Sequence, residues 1–421
     1  MSSDEPVVSS RGWVRTLVAA WLAQFVSMIG FSFAMPFLPF YLRELGVHGE
    51  AAQRYWSGLV ISAPALIMML TAPLWGVLAD RVGRKPMVLR AMFGGAALVA
   101  LMGVATSPGM LLVLRLLQGG VTGTISATNA LISSVVPRRR AGFSLGLMQT
   151  AIYAGGSVGP LMGGLSADAF GYAATFYISG GFLLIGGIVV ALFAAEGPLQ
   201  PQGKPAQDAP PGEGLWGVMA RPGFSVVIGL VFLLQFAGTV LGPVFPLYVE
   251  ALQIDKLHVN TQTGRLMSVT AISAAIVAVP IGYVADRIGP RRILVLGALL
   301  SGTFMVPQAF VSSISTLYVL RIMLGLAAGT IGPAMGGFVS RTVPRTSQGK
   351  AFGIVQSASS MGFGLGPLAG GVMGATLGLR APFVVVGALQ GLFALLAWTV
   401  LSRLGPAVNG GNNCRSQVRK T

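Results

Sequence analysis

Between two long apolar runs, residues 76–89 read GVLADRVGRKPMVL, which places Asp80, Arg81, Arg84 and Lys85 within a ten-residue turn that also holds Gly76 and Gly83. A carboxylate at such a junction can cap the positive N-terminal end of a neighbouring helix or pair with an arginine. Gly76 would let another backbone come close, and Gly83 supplies a tight turn. The pattern returns as GYVADRIGPRRILVL, with Gly282, Asp286, Arg287, Gly289, Arg291 and Arg292, and Asp80 and Asp286 are 206 residues apart. Other landmarks keep nearly the same register. Pro36, Pro39 and Tyr41 match Pro243, Pro246 and Tyr248; Arg115 matches Arg321; Pro137 matches Pro344; and Gly159, Pro160, Gly163 and Gly164 match Gly366, Pro367, Gly370 and Gly371. The chain is a duplicated object, which restricts it to folds made of two like halves.

The material between the landmarks decides what each half is made of. Hydrophobic residues make up 53% of the chain and charged residues only 10%, against roughly a quarter charged in soluble proteins. Apolar runs near the length of about 20 residues that spans a bilayer fall at 14–42, 57–79, 87–106, 109–135, 142–167 and 172–194. They fall again at 222–250, 265–285, 292–312, 315–340, 350–376 and 381–402. The expected fold is all-α and integral to the membrane, with twelve spans in two six-helix bundles related by pseudo-symmetry. The first bundle covers residues 1–195 and the second 221–403, joined by a Pro/Gly/Gln-rich linker at 196–220 that cannot bury a core and followed by a polar tail at 404–421. Two such halves in parallel orientation are the plan of a rocking transporter, with its substrate site at the midplane between them.

The charge follows from the topology. The net charge of +16 would suggest nucleic acid in a soluble protein. Here, if the N-terminus is cytoplasmic, 21 of the 28 bases fall in inside segments, five in outside loops, and Arg115 and Arg321 within spans. The positive-inside bias places both termini in the cytoplasm and removes the reason to invoke nucleic acid. The single cysteine, Cys414, excludes a disulfide framework or CxxC metal site, and two peripheral histidines, His48 and His258, are too few for a histidine cluster. No nucleophile–base set, phosphate loop or metal cluster is present, so neither an enzyme nor an ATP-driven pump is expected, and no cofactor.

The hinge at 76–89, the RLLQG stretch from Arg115 to Gly119 and the GxxxGPxxGG segment from Gly155 to Gly164 together resemble the major facilitator superfamily, and within it the twelve-span drug:proton antiporters of bacteria. The resemblance covers the chain except its linker and tail. It implies a monomeric secondary-active exporter in the bacterial inner membrane, exchanging small, mainly lipophilic compounds for protons by alternating access. The hinge residues Asp80, Arg81, Arg84 and Lys85 would form an inter-helix charge relay that stabilises the outward-open state, with Gly76 as its packing contact, Gly83 at its turn and Asp286 as the gating counterpart in the repeat. As a bland alternative, the bases are topological anchors, an explanation that does not cover Asp80 because acids contribute little to topology.

An ionised side chain inside a span is costly and by default functional. Arg115, with Gln118 one turn on, and Arg321 are therefore candidates for proton coupling or for the charge of the central cavity, unless they snorkel outward. Gly155, Gly159, Pro160 and Gly163, and in the repeat Gly366 and Pro367, place small residues at four-residue steps for close packing and a bend. Gln24, Met28, Phe31 and Met35 form one stripe on the first span and are candidate substrate contacts, with Asn129, Tyr153, Gln235 and Gln356; such a stripe also suits plain packing. None of the twelve acids falls at mid-bilayer, so the sequence supplies no proton acceptor in the first span, where many such antiporters carry one; Asp80 or Asp168 could titrate instead. The alternative reading is an organic-anion exchanger or uptake carrier clamping its substrate with Arg115 and Arg321.

Overall fold

The computed structural model describes residues 12–137, 140–196, 224–253, 258–331 and 348–403. Most of the 196–220 linker, the tail and the tenth-span residues beyond Ile331 lie outside them. Fourteen α-helices follow one another among the described residues: α1 Gly12–Ala34, α2 Leu38–Glu44, α3 Glu50–Val82, α4 Arg84–Met102, α5 Pro108–Val121, α6 Thr124–Val135, α7 Ala141–Phe193, α8 Phe224–Val240, α9 Phe245–Leu252, α10 Val259–Ile288, α11 Pro290–Met305, α12 Ile314–Ala328, α13 Gln348–Leu377 and α14 Ala381–Arg403. Eight of the described helical stretches are long and apolar enough to cross a membrane. Leu70, Leu74, Leu192 and Phe310 are each about two-thirds exposed, a surface that only lipid tolerates.

The helix breaks follow local chemistry. Pro36 sits in a 3-10 turn, Met35–Phe37, that divides the first span into α1 and α2. The hinges turn at Gly83 (φ 112°) and Gly289 (φ 95°), and glycine enters that region without a Cβ penalty. One expected span needs correction. The stretch 109–135 is not one continuous helix, because the backbone leaves the helical region at Thr122 and Gly123 and splits it into α5 and α6. The runs 142–167 and 172–194 are two helices that meet without an intervening loop inside α7, and the backbone leaves the helical region between them at Gly171 (φ 79°, ψ 174°), where the expected division lies.

The chain forms two compact units. One contains residues 1–208, 242–268 and 367–379; the other contains 209–241, 269–366 and 380–421. In the first unit one apolar core gathers Leu38, Tyr41, Leu42, Met102, Leu111 and Leu183, and another gathers Leu17, Val88, Met92, Leu131, Ile132 and Val190. The second unit is centred on Leu230, Leu294, Ala298, Phe393 and Ala397.

Within the first unit α7 lies directly on α1. A Cβ on Gly155 would stand 2.6 Å from Phe25 O and 2.7 Å from Met28 Cβ, one on Gly159 would stand 2.9 Å from Ile29 O and collide with the Ser32 hydroxyl, and one on Gly163 would strike Phe33 O. Inside the second unit the same contact recurs, shifted by 207 residues. A Cβ on Gly362 would stand 2.5 Å from Phe232 O and 2.9 Å from Gln235 Cβ, and one on Gly366 would stand 2.7 Å from Phe236 O and collide with the Thr239 hydroxyl. Even the side-chain bond repeats: Ser32 Oγ donates to Gly155 O at 3.3 Å, and Thr239 Oγ1 donates to Gly362 O at 3.4 Å.

A second pair of crossings joins helices of the two sequence halves inside the first unit. Gly264 of α10 would meet Pro160 O, and Gly164 would meet Asn260 O; Gly58 of α3 would meet Pro367 O at 2.7 Å, and Gly371 would meet Arg54 O at 2.6 Å. The carbonyls that face Gly264 and Gly58 belong to Pro160 and Pro367, the prolines inside α7 and α13 at equivalent places in the repeat.

Replacing Gly159 by alanine forces α1 and α7 apart, whereas Gly156 faces open space. Gly159→Ala is expected to lower the unfolding midpoint of the purified protein by several degrees, an overpacking cost of about 1–3 kcal/mol, while Gly156→Ala leaves it unchanged or slightly raised; equal midpoints would remove the close-contact account.

Candidate functional site

The hinge is held by a carboxylate that the sequence reading missed. Glu196, just past the end of α7, accepts the backbone N–H of Arg84 at 2.8 Å on one oxygen and that of Lys85 at 2.9 Å on the other. These are the first two N–H groups of α4, so Glu196 caps that helix and faces the positive end of its dipole. The bases of the hinge do not bond one another. Lys85 Nζ donates to Ala191 O at 2.9 Å and Arg84 Nη1 donates to Ala130 O at 3.2 Å, which ties α4 to α7 and α6 through main-chain acceptors. Arg81 is exposed. Gly76 has no neighbour where its Cβ would be and lines a cavity instead, so the expected close helix contact at that position is absent here. The side chains of Asp80 and Asp286 lie outside the described residues. Glu196 escaped notice because it opens a polar stretch, where an acid has no periodicity to mark it.

Arg115 is buried, as is Gln118 one turn away. Arg115 Nε donates to Val60 O of α3 at 3.1 Å, Nη1 donates to Gln118 Oε1 at 2.7 Å, and Nη2 points at Met35 Sδ at 3.0 Å. Snorkelling is ruled out for this side chain, since its head is the buried part. The carbonyl of Val60 is available because Pro64, four residues on, has no N–H to occupy it. Gly119, one residue past Gln118, abuts the Pro64 backbone, which fixes the distance between α3 and α5. The guanidinium is thus a structural tie between α1, α3 and α5, with each of its three nitrogens already engaged. Arg321, its repeat counterpart on α12, is buried as well.

At the other end of these helices, three polar contacts connect segments that are far apart in sequence. Arg43, at the end of α2, pairs with Glu250 of α9 through both nitrogens, at 2.8 and 2.7 Å, and Arg43 Nη2 also reaches Gln53 Oε1 at 3.4 Å. Asp168 of α7 accepts Asn260 Nδ2 at 2.8 Å and the Thr261 N–H at 2.8 Å, capping the first turn of α10, with the Tyr172 hydroxyl 3.2 Å from Asn260 Nδ2. Arg54 donates to Gly374 O at 3.1 Å near the C-terminal end of α13, and pairs with Glu50 one turn before it. A carboxylate on a helix N-terminus and a guanidinium at a helix C-terminus both match the helix dipole. These contacts form a latch across the ends of α2, α3, α7, α9, α10 and α13. Arg43, Arg54, Glu250 and Asn260 were not singled out from sequence; the 207-residue spacing of Arg43 and Glu250 was the available signal, since it makes them equivalent positions of the repeat.

The residues of the expected substrate stripe at the first span meet different neighbours. Gln24 is buried with neither amide atom bonded to any described residue, Met28 packs on Gly155, Phe31 joins the core around Leu183, and Met35 meets Arg115. Asn129 is half-buried, Tyr153 is 52% exposed, and Gln235 lies beside Gly362. The Gln356 side chain lies outside the described residues. Among the described residues no group of three or more His, Cys, Asp or Glu could hold a metal.

Removing the Asp168 carboxylate should release the first turn of α10. Asp168→Ala is expected to raise amide hydrogen exchange at 259–262 by about tenfold, in line with a cap worth roughly 0.5–2 kcal/mol, with exchange in α4 unchanged; unaltered exchange at 259–262 would show that the cap does not hold this turn.

The sequence pattern of the Major Facilitator Superfamily matches residues 20–255 and 227–413. The chain is 35% identical over 404 residues to "Multidrug resistance protein MdtG" of Citrobacter koseri, covering 95% of this chain and 97% of that protein. It is 36% identical over 394 residues to the protein of the same name from Serratia proteamaculans, covering 93% and 95%. Among solved structures it resembles a bacterial homologue of the human lysosomal transporter Spinster in an inward-facing, occupied conformation, at a TM-score of 0.77 and 15% identity over 96% of this chain and 100% of that one. It also resembles a D-xylose–proton symporter, at a TM-score of 0.77 and 15% identity over 95% and 99%. Similarity of that degree shows the fold, and the relatives show the kinship: this multi-pass membrane protein belongs to the major facilitator superfamily and is a transporter, not an enzyme.

Proposed function

We propose that the protein is a secondary-active multidrug exporter of the bacterial inner membrane, with both termini in the cytoplasm, exchanging small, mainly lipophilic compounds for protons by alternating access. The observation that carries alternating access is the pair of crossings, Pro160 on Gly264 and Pro367 on Gly58, at equivalent places in the repeat. Two like contacts related by the duplication can act as a shared pivot, and the latch lies at the same ends of the helices. With cytoplasmic termini the latch faces outward, so its contacts describe an outside-closed state. The breadth and lipophilicity of the substrates rest on the likeness to the multidrug resistance relatives. The alternative of an organic-anion carrier loses one of its two clamps, because the nitrogens of Arg115 are taken by Val60, Gln118 and Met35.

Proton coupling rests on the resemblance to the bacterial drug:proton antiporters. Asp168 holds the first turn of α10 by accepting two hydrogen bonds, which makes it, beside Asp80, an acid whose removal bears on that reading.

Inverted membrane vesicles with a pH-sensitive dye test the reading. A lipophilic drug should dissipate the gradient with the wild type, and much less with Asp80→Asn or Asp168→Asn at equal membrane content. Exchange of an organic anion without proton movement, or full activity in both variants, would overturn it.

A further inference from the structure

Trp75 of α3 stands between two cavities beside the hinge. The smaller, of about 160 Å³, lies among α3, Met87 and Arg90 of α4, and the break between α5 and α6 at Thr122, Gly123 and Ser126. The larger, of about 280 Å³, runs along Leu74, Val77 and Leu78 and includes Arg81 in its wall. Leu74 is 68% and Val77 54% exposed, so this side of α3 is open and apolar.

Arg90 is in an unfinished state. Its guanidinium stacks 3.6 Å from the centre of the Trp75 ring, and Nη2 donates to Thr122 O at 3.3 Å. Nε and Nη1 are shielded from solvent and have no acceptor among the described residues. A guanidinium presents its N–H groups as a planar fork that matches phosphate or carboxylate. The same cavity borders the first turn of α6, a twelve-residue helix that begins at Thr124 with no side-chain cap, so its first N–H groups add positive potential there. Trp75 is fixed by its own bond, Nε1 to Gly120 O at 2.6 Å, and holds Arg90 in place. Arg84 and Lys85 of the same helix spend their donors on carbonyls of α6 and α7.

We propose that the smaller cavity binds the oxyanion head of an amphiphile, a phosphate or carboxylate joined to an apolar chain. Arg90 and the first turn of α6 hold the oxyanion, and the apolar chain passes Trp75 to lie along Leu74 and Val77. An anionic lipid of the adjacent leaflet and a soluble amphiphilic anion share this chemistry. The site is separate from Arg115 and from the latch, and it stands whether or not the exporter reading does.

Purified full-length protein in an uncharged detergent is titrated with dodecyl phosphate and, separately, with inorganic phosphate, following the unfolding midpoint. Dodecyl phosphate should raise the midpoint saturably. Arg90→Gln should weaken that binding at least about tenfold, the scale of losing a hydrogen bond to a charged group, with Arg90→Lys retaining part of it. Ser126→Asp keeps Arg90 and Trp75 intact and sets a carboxylate at the cavity, so it should also weaken binding if Arg90→Gln fails to fold. In nanodiscs, stabilisation by phosphatidylglycerol over phosphatidylcholine that depends on Arg90 assigns the site to lipid; dodecyl phosphate binding without that lipid preference assigns it to a soluble amphiphile. No saturable response to dodecyl phosphate, equal affinity in wild type and both variants, or equal affinity for inorganic phosphate would overturn the proposal.

Discussion

Helix backbones in this protein touch through glycine. In a bilayer the apolar surface of a helix gains nothing by leaving lipid for protein, so association rests on van der Waals contact and hydrogen bonding, both of which need short distances. Gly155, Gly159 and Gly163 bring α7 onto the carbonyls of α1, and Gly362 and Gly366 bring α13 onto α8 in the same register. Everything charged in the structure is positioned by that packing, because the helix ends that carry the charges go where the contacts put them.

Among the described residues, charge is handled by helix ends and carbonyls more than by ion pairs. Glu196 and Asp168 each cap the first turn of a helix, and Arg54, Arg84, Lys85 and Arg115 each donate to a main-chain oxygen. Proline makes one of these arrangements possible: Pro64 leaves the Val60 carbonyl open to Arg115. The Arg43–Glu250 pair is half-exposed on the arginine side, at 48%, and such pairs contribute on the order of 0–1 kcal/mol.

Much of the fold was legible in the chain. Apolar length gave the spans, and the repeat of hinge, proline and glycine landmarks gave two halves in parallel. The break inside one span was harder: nothing in the run at 109–135 distinguishes Gly123 from glycines that stay helical, whereas the division between the runs at 142–167 and 172–194 falls at Gly171, close to where Asp168 interrupts the apolar sequence. Of the site, Arg115 was marked by its cost in a membrane. Glu196, Asn260 and Arg90 were not, since their significance lies in which helix end or ring each one meets.

The sequence by itself determined a membrane-embedded, duplicated, all-helical transporter, because hydropathy, span length and internal repeat are properties of the chain read one residue after another. Only the tertiary structure decided which groups answer which charges. The 112 residues between Arg84 and Glu196 and the 93 between Asp168 and Thr261 are bridged by helix packing, and no local pattern encodes a contact that forms only after both helices have found their neighbours.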